Sequence, residues 1–105
     1  MSKARWSVQW THSADLDFGR AIGFIETESA QVADRFVRRI LSRVRQLGDN
    51  PRLGTKYVVD AEGREFRRLV VREYVVYYWL AEDERTVWVA RVWHGRRNPA
   101  DLVLD

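Results

Sequence analysis

SAQVADRFVRRILSRVRQLGDNPRLG, residues 29–54, is the stretch that decides the fold. Ser29 is placed to cap a helix N-terminus. After it, Val32, Ala33, Phe36, Val37, Ile40, Leu41, Val44 and Leu47 recur at i, i+3, i+4, i+7, the spacing of one apolar helix face. Arg35, Arg38, Arg39, Arg43 and Arg45 fall mostly between them. Gly48 suits the left-handed position past a helix end, and Pro51 follows three residues later. Beyond Pro51-Arg52-Leu53-Gly54 the period changes from helical to extended.

Working outward on the N-terminal side, Trp6, Val8 and Trp10 alternate with Ser7 and Gln9, a strand with one buried face. Ser13 reads as the cap of a first helix, with Asp15 and Asp17 in its opening turn, where negative charge is favoured. Ala14, Leu16, Phe18, Ala21, Ile22 and Ile25 form its apolar stripe. Gly19 and Gly23 weaken that helix by about 1 kcal/mol each relative to Ala, or else allow a second helix to approach closely. The link from Glu26 to Ser29 is short, so the two helices form an antiparallel hairpin. On the C-terminal side, Tyr57-Val58-Val59 reads as a short edge strand and Asp60-Ala61-Glu62-Gly63 as a turn. Glu65 to Val71, Tyr74 to Ala81 and Thr86 to Trp93 carry the Val, Tyr, Phe and Trp that strands prefer, joined by turns at Arg72-Glu73 and Glu82 to Arg85. The predicted class is α+β in the order β–α–α–β–β–β, a helical hairpin packed on a mostly antiparallel sheet. These strands are apolar on both faces, so the helices cover one side and a partner or the chain's own tail the other.

A chain of 105 residues fits a single domain spanning residues 1–105. It has no Cys, which excludes disulfides and Cys-ligated metals. The N-terminus lacks the apolar segment of a signal peptide. The longest apolar run, Val75 to Ala81, is far short of the roughly 20 residues a membrane helix needs. A cytoplasmic protein is expected. The net charge of +3 hides an asymmetry: residues 35–72 hold eleven Lys or Arg against four Asp or Glu (11 − 4 = +7). The flanks hold three against five and four against six, −2 each. The central block suits an anionic partner, nucleic acid or an acidic protein segment, or is a solvated helix face.

Several pieces in order carry a family likeness: Trp10-Thr11, then Ala33-Asp34-Arg35-Phe36 running into Ile40 and Leu47, then Asn50-Pro51-Arg52-Leu53-Gly54. Phe66-Arg67-Arg68-Leu69-Val70-Val71, Tyr74-Val75-Val76-Tyr77-Tyr78 and Val89 to Arg97 follow. Over nearly its whole length the chain resembles the ParE/RelE toxins of type II toxin–antitoxin systems. It looks most like the ParE branch, with two long helices, the Pro-x-Leu-Gly link, and a C-terminal Asp101-Leu102-Val103-Leu104-Asp105 without Tyr or His. The resemblance implies a cognate, ParD-like antitoxin whose disordered C-terminal half folds around the toxin. It also implies a target: DNA gyrase for ParE-like members, which are not nucleases, or mRNA in the ribosomal A site for RelE-like ones. A homologue that binds its partner but has lost toxicity is a third reading.

Cleavage of RNA at a 2′-hydroxyl requires a base, an acid and a cation on the phosphorane. His94 could serve as acid or base, and Arg67, Arg72, Arg91, Arg96 and Arg97 could hold phosphate. Tyr74 and Tyr78 could stack on bases. Each has a structural alternative: His94 as a capping residue at a strand end, the tyrosines as core or groove-lining aromatics, Arg67 paired with Glu65 or Asp60. His12 and His94 are the only histidines and neither lies in a metal-ligand pattern. No metal and no cofactor is expected. The antitoxin site is placed at Arg38, Arg39, Arg43, Arg67 and Arg68, which would meet acidic side chains. Trp79, Trp88 and Trp93 join it as aromatics that a two-layer domain leaves in need of cover.

Overall fold

Thr11 joins the first strand to the first helix by working in both. Its amide donates to the Val89 carbonyl (3.0 Å) and its hydroxyl to the Ala90 carbonyl (3.0 Å). The same hydroxyl oxygen accepts from Ala14 N (3.1 Å), which makes Thr11, not Ser13, the cap. The helix therefore starts one residue before Ser13, at His12. In this computed structural model, which describes residues 5–104, the elements run in the predicted order. They are β1 (Ser7–Trp10), α1 (His12–Glu26), α2 (Ala30–Asp49), β2 (Thr55–Val59), β3 (Glu65–Val71), β4 (Tyr74–Ala81) and β5 (Thr86–His94). Short 3-10 turns occupy Glu82–Glu84 and Pro99–Asp101. The leader reading at Met1 to Ala4 and the terminal Asp105 lie outside the described residues.

The sheet order is β1-β5-β4-β3-β2. β1 runs parallel to β5, and every other neighbouring pair is antiparallel. Both helices lie on one face. Ser29 caps α2 as read, accepting from Val32 N. Phe36, Ile40, Val44 and Leu47 bury the α2 stripe against Leu69, Val71, Val76, Tyr78, Val87, Val89 and Val92. Full burial of a side chain such as Ile40 or Leu47 stabilises the fold by about 1.5–3 kcal/mol. The stripe as predicted was too wide: Val32 and Leu41 are exposed at its flanks. In α1 the correction is sharper. Leu16 is exposed, and Asp17, three residues after buried Ala14 and four before buried Ala21, takes its place on the inner face.

Two glycines are explained by close approach. Gly48 is not past the helix end; α2 continues to Asp49, with Asn50 as its C-cap. A β-carbon on Gly48 would stand 3.1 Å from the Trp6 carbonyl and collide with the Arg5 guanidinium. One on Gly54 would meet the Arg68 carbonyl at 2.5 Å. Gly19 and Gly23, in contrast, have nothing within 4 Å of that position, so no helix approaches there.

The β4–β5 register shifts between Tyr77 and Tyr78: Tyr78 faces Val89 and Tyr77 faces Arg91, leaving Ala90 as a bulge. The bulge resets the alternation. Val92 and His94 follow Val87 and Val89 onto the helix face, and Arg91 and Trp93 turn to the other. On that outer face Val75, Tyr77 and Trp93 form a second cluster, packed by Tyr57 and by Leu102 and Leu104 of the C-terminal tail. No described helix is long and apolar enough to cross a membrane.

Candidate functional site

β1 ends at Trp10, opposite Val89, and leaves the rest of the β5 edge without a strand partner. Asp17 fills that position. Its carboxylate accepts from Val92 N (3.0 Å) and from Arg91 through Nε (2.8 Å) and Nη2 (2.9 Å). Arg91 also donates to the Val103 carbonyl (3.0 Å), and its guanidinium lies 5.0 Å from the Trp93 ring centroid. One arginine thus ties α1, the sheet edge and the tail together. Both members of this ion pair are largely buried, with side chains 15% and 4% exposed.

The residues read as a nuclease set divide: Tyr74, His94 and Arg97 line one cavity and Arg72, His94 and Arg96 another, while Arg67, Tyr78 and Arg91 stand apart. Arg67 is buried and fully engaged, with Glu65 (2.9 Å), the Gly54 carbonyl (3.2 Å) and the Arg52 carbonyl (3.3 Å). Of its two expected partners it takes Glu65; Asp60 binds Arg64 instead. Arg67 faces Tyr78, whereas His94 faces Tyr74, four residues along β4 and so roughly 13 Å away. Arg91 lies on the opposite face, committed to Asp17. The His94 ring sits edge-on to Tyr74 (centroids 5.0 Å apart), and its Nδ1 accepts from Arg96 N (3.0 Å), a strand-end cap. Tyr78 is a core residue whose hydroxyl accepts from Gly54 N (2.8 Å). Burial raises its pKa above the ordinary value, against the opposing pull of the Gly54 hydrogen bond and the Arg67 charge. Tyr74 is also raised, by burial first and then by the neighbouring Glu73 charge.

The residues read as antitoxin contacts divide. Arg38, Arg39 and Arg43 lie along α2, Arg38 in an i, i+4 pair with Asp34 (2.7 Å) and Arg43 bonded to Gln46. Arg68 lies over the Tyr57 ring (5.6 Å) on the outer sheet face. Trp79 and Trp88 are register neighbours on that face and only partly buried, Trp79 beneath the Arg64 guanidinium (5.3 Å). Trp93 differs: it is 2% exposed, packed by the tail and stacked by Arg97 at 3.6 Å. Its cover comes from the chain itself, and its indole N–H is buried without an acceptor among the described residues. No group of three or more His, Cys, Asp or Glu among those residues could hold a metal ion.

Sequence reasoning singled out Arg72, Tyr74, His94, Arg96 and Arg97 but missed Arg20, Phe24, Arg35 and Arg39, which gather with them around the β3–β4 turn, where Arg72 adopts φ 57°. Three cavities adjoin there. One, of about 390 Å³, lies between Ile25, Val32, Phe36 and Tyr74, with Arg35, Arg39, Arg72 and Glu73 at its rim. A second, about 460 Å³ and mostly apolar, reaches past Tyr74 and Val92 to Arg20, Phe24, His94 and Arg97. A third, about 300 Å³, runs from Arg72 and Glu73 to Val70, His94 and Arg96. The signal was present in α2: Arg38 has Asp34 four residues before it, whereas neither Arg35 nor Arg39 has an acid three or four residues away on either side.

The helical hairpin on one face of a five-stranded sheet, with β1 parallel to β5, is a fold shared with solved chains of two toxin–antitoxin systems. The chain is similar to a chain of the chromosomal ParDE toxin–antitoxin system from P. aeruginosa (TM-score 0.70, 16% identity, 88% of this chain and 98% of that one). It is also similar to a chain of the RelBE2 toxin–antitoxin complex from Mycobacterium tuberculosis (TM-score 0.54, 19% identity, 90% and 97%). No curated protein matches it in sequence. The family model for the ParE toxin of type II toxin–antitoxin systems, parDE, matches residues 8–99, and the chain belongs to that family.

Proposed function

We propose that this chain, residues 1–105 acting as one toxin domain, arrests growth in the cytoplasm by inhibiting DNA gyrase and is neutralised by a ParD-like antitoxin. The observation that carries this reading is the ParE family match across residues 8–99. The geometry supports it: Arg67 and Arg91 are engaged within the chain, away from His94 and Arg96, which suits an inhibitor that acts by binding. The antitoxin contacts proposed are Arg38, Arg39 and Arg43 on α2, with Arg68, Trp79 and Trp88 on the outer sheet face. Arg67 and Trp93 are spent inside the chain and contribute through the shape they hold.

One toxin preparation decides the target. In a supercoiling assay with purified gyrase, inhibition is expected. On programmed, translating ribosomes, mRNA is expected to stay intact. Codon-specific cuts with unimpaired supercoiling would instead establish a ribosome-dependent endoribonuclease.

A further inference from the structure

The arginines divide into two groups. Most are engaged within the chain: Arg38 by Asp34, Arg52 by Glu82, Arg64 by Asp60, Arg97 on the Trp93 ring. The side chains of Arg20, Arg35, Arg39, Arg72 and Arg96 have no partner among the described residues, and neither has Arg45. All of these except Arg45 line the three cavities around the β3–β4 turn. The first two cavities share Tyr74 and form one groove on the helix face; the third meets it at Arg72, Glu73 and His94 and continues onto the outer sheet face at Arg68, Val70 and Val75. Only two acids line it. Asp17 is committed to Arg91, which leaves Glu73 facing the unpaired cations. The floor is apolar, and Phe24 at one end is 69% exposed, the most exposed of the described large hydrophobic side chains.

We infer that this groove receives an acidic, amphipathic segment of a partner protein. Its carboxylates meet Arg35, Arg39 and Arg72, and its apolar side chains rest on Phe24, Ile25 and Tyr74. Charge complementarity selects the occupant. Like charges four residues apart, as at Arg35 and Arg39, cost a helix stability unless an anion lies between them. Unpaired guanidinium groups gathered over a hydrophobic floor offer charge-assisted, bidentate contacts to carboxylates. The aliphatic Ile25, Val32, Val71 and Val92 beside the rings of Phe24, Phe36 and Tyr74 match the mixed apolar face of a peptide, and binding of a nucleic acid strand in its place is an outcome of the test. The inference rests on the toxin–antitoxin reading for the partner's identity, the segment then belonging to the antitoxin.

The test uses the whole chain and three fluorescent probes: a 16-residue helical Glu/Leu peptide, its Gln/Leu counterpart, and a 16-nucleotide oligouridine. The Glu peptide is expected to bind most tightly by anisotropy. The R35E/R39E variant and, separately, R72E should each weaken it about tenfold, while R45E, equal in charge change per residue but remote, should weaken it less than about twofold. Circular dichroism checks that each variant folds. Equal binding of the Gln peptide, equal loss in R45E, or tighter binding of oligouridine lost in the same variants would overturn the proposal. A second arm separates its failure from that of the toxin reading. Wild-type chain that fails to arrest growth refutes the toxin and leaves the peptide result standing. An R35E/R39E toxin still rescued by the antitoxin refutes the groove as its contact and leaves the toxin standing.

Discussion

Replacing Asp17 by asparagine tests whether the buried pair at the β5 edge holds the fold as described. Asp17 accepts from Arg91 Nε, Arg91 Nη2 and Val92 N at 2.8, 2.9 and 3.0 Å. Asparagine keeps the shape and one acceptor, but turns an NH₂ toward donors and leaves Arg91 without a counter-charge. Removing one member of a buried ion pair typically costs about 3–5 kcal/mol. Arg91 keeps the Val103 carbonyl and the Trp93 ring, so the lower end, about 3 kcal/mol, is expected. At about 4–8 °C per kcal/mol for a domain of this size, Tm should fall by roughly 12–24 °C. Urea unfolding of D17N, R91M and the double variant completes the cycle. Each single should cost about 3 kcal/mol and the double about 3 kcal/mol less than their sum, because it strands no charge and the introduced amide oxygen still accepts from Val92 N. Single losses under about 1 kcal/mol, or strict additivity, would refute the reasoning.

Tyr78→Phe should cost about 1–3 kcal/mol in urea unfolding, since it leaves the buried Gly54 amide without its acceptor. The same hydroxyl gives an alkaline prediction. Its folded pKa is raised, so its contribution is complete below about pH 10 and is lost as pH climbs through the folded value. Absorbance at tyrosinate wavelengths should show tyrosines ionising late, and Tyr78→Phe should lower the amplitude of that late phase while Tyr74 and Tyr77 keep part of it. In L102A/L104A the tail should release Trp93, and its indole proton should exchange with solvent faster by NMR; unchanged exchange would show that the tail is not its cover. Arg38→Ala should change stability by less than about 0.5 kcal/mol, because its pair with Asp34 is solvated.

The α2 stripe with its Ser29 cap, the aromatic and β-branched strands, and the order of elements could all be read from residue types, because local periodicity reports them directly. Features that depend on distant partners could not. Thr11 becomes a cap because the sheet holds it at Val89 and Ala90. Asp17 looked like a charge favoured by a helix N-terminus and is in fact the acceptor for an open sheet edge. The bulge at Ala90 is hidden in a run that is apolar on both faces, and it decides that Trp93 goes under the tail and not into a partner's interface. Arg67 is buried by a loop that arrives from Gly54, thirteen residues away. Of the residues around the proposed groove, Arg72, Tyr74, His94, Arg96 and Arg97 stood out by residue type as a phosphate- and base-contacting set; Arg20, Phe24, Arg35 and Arg39 join them through the hairpin.

The parallel pairing of β1 with β5 joins residues 79 positions apart, Thr11 to Ala90 among them. Long-range closure of that kind is slow, and it cannot begin before the last strand has left the ribosome. A nascent chain halted anywhere before Thr86 therefore lacks the strand on which β1, α1 and the tail all dock. Premature termination yields an unassembled polypeptide, so whatever potency the folded molecule has is withheld from the cell until synthesis is nearly complete.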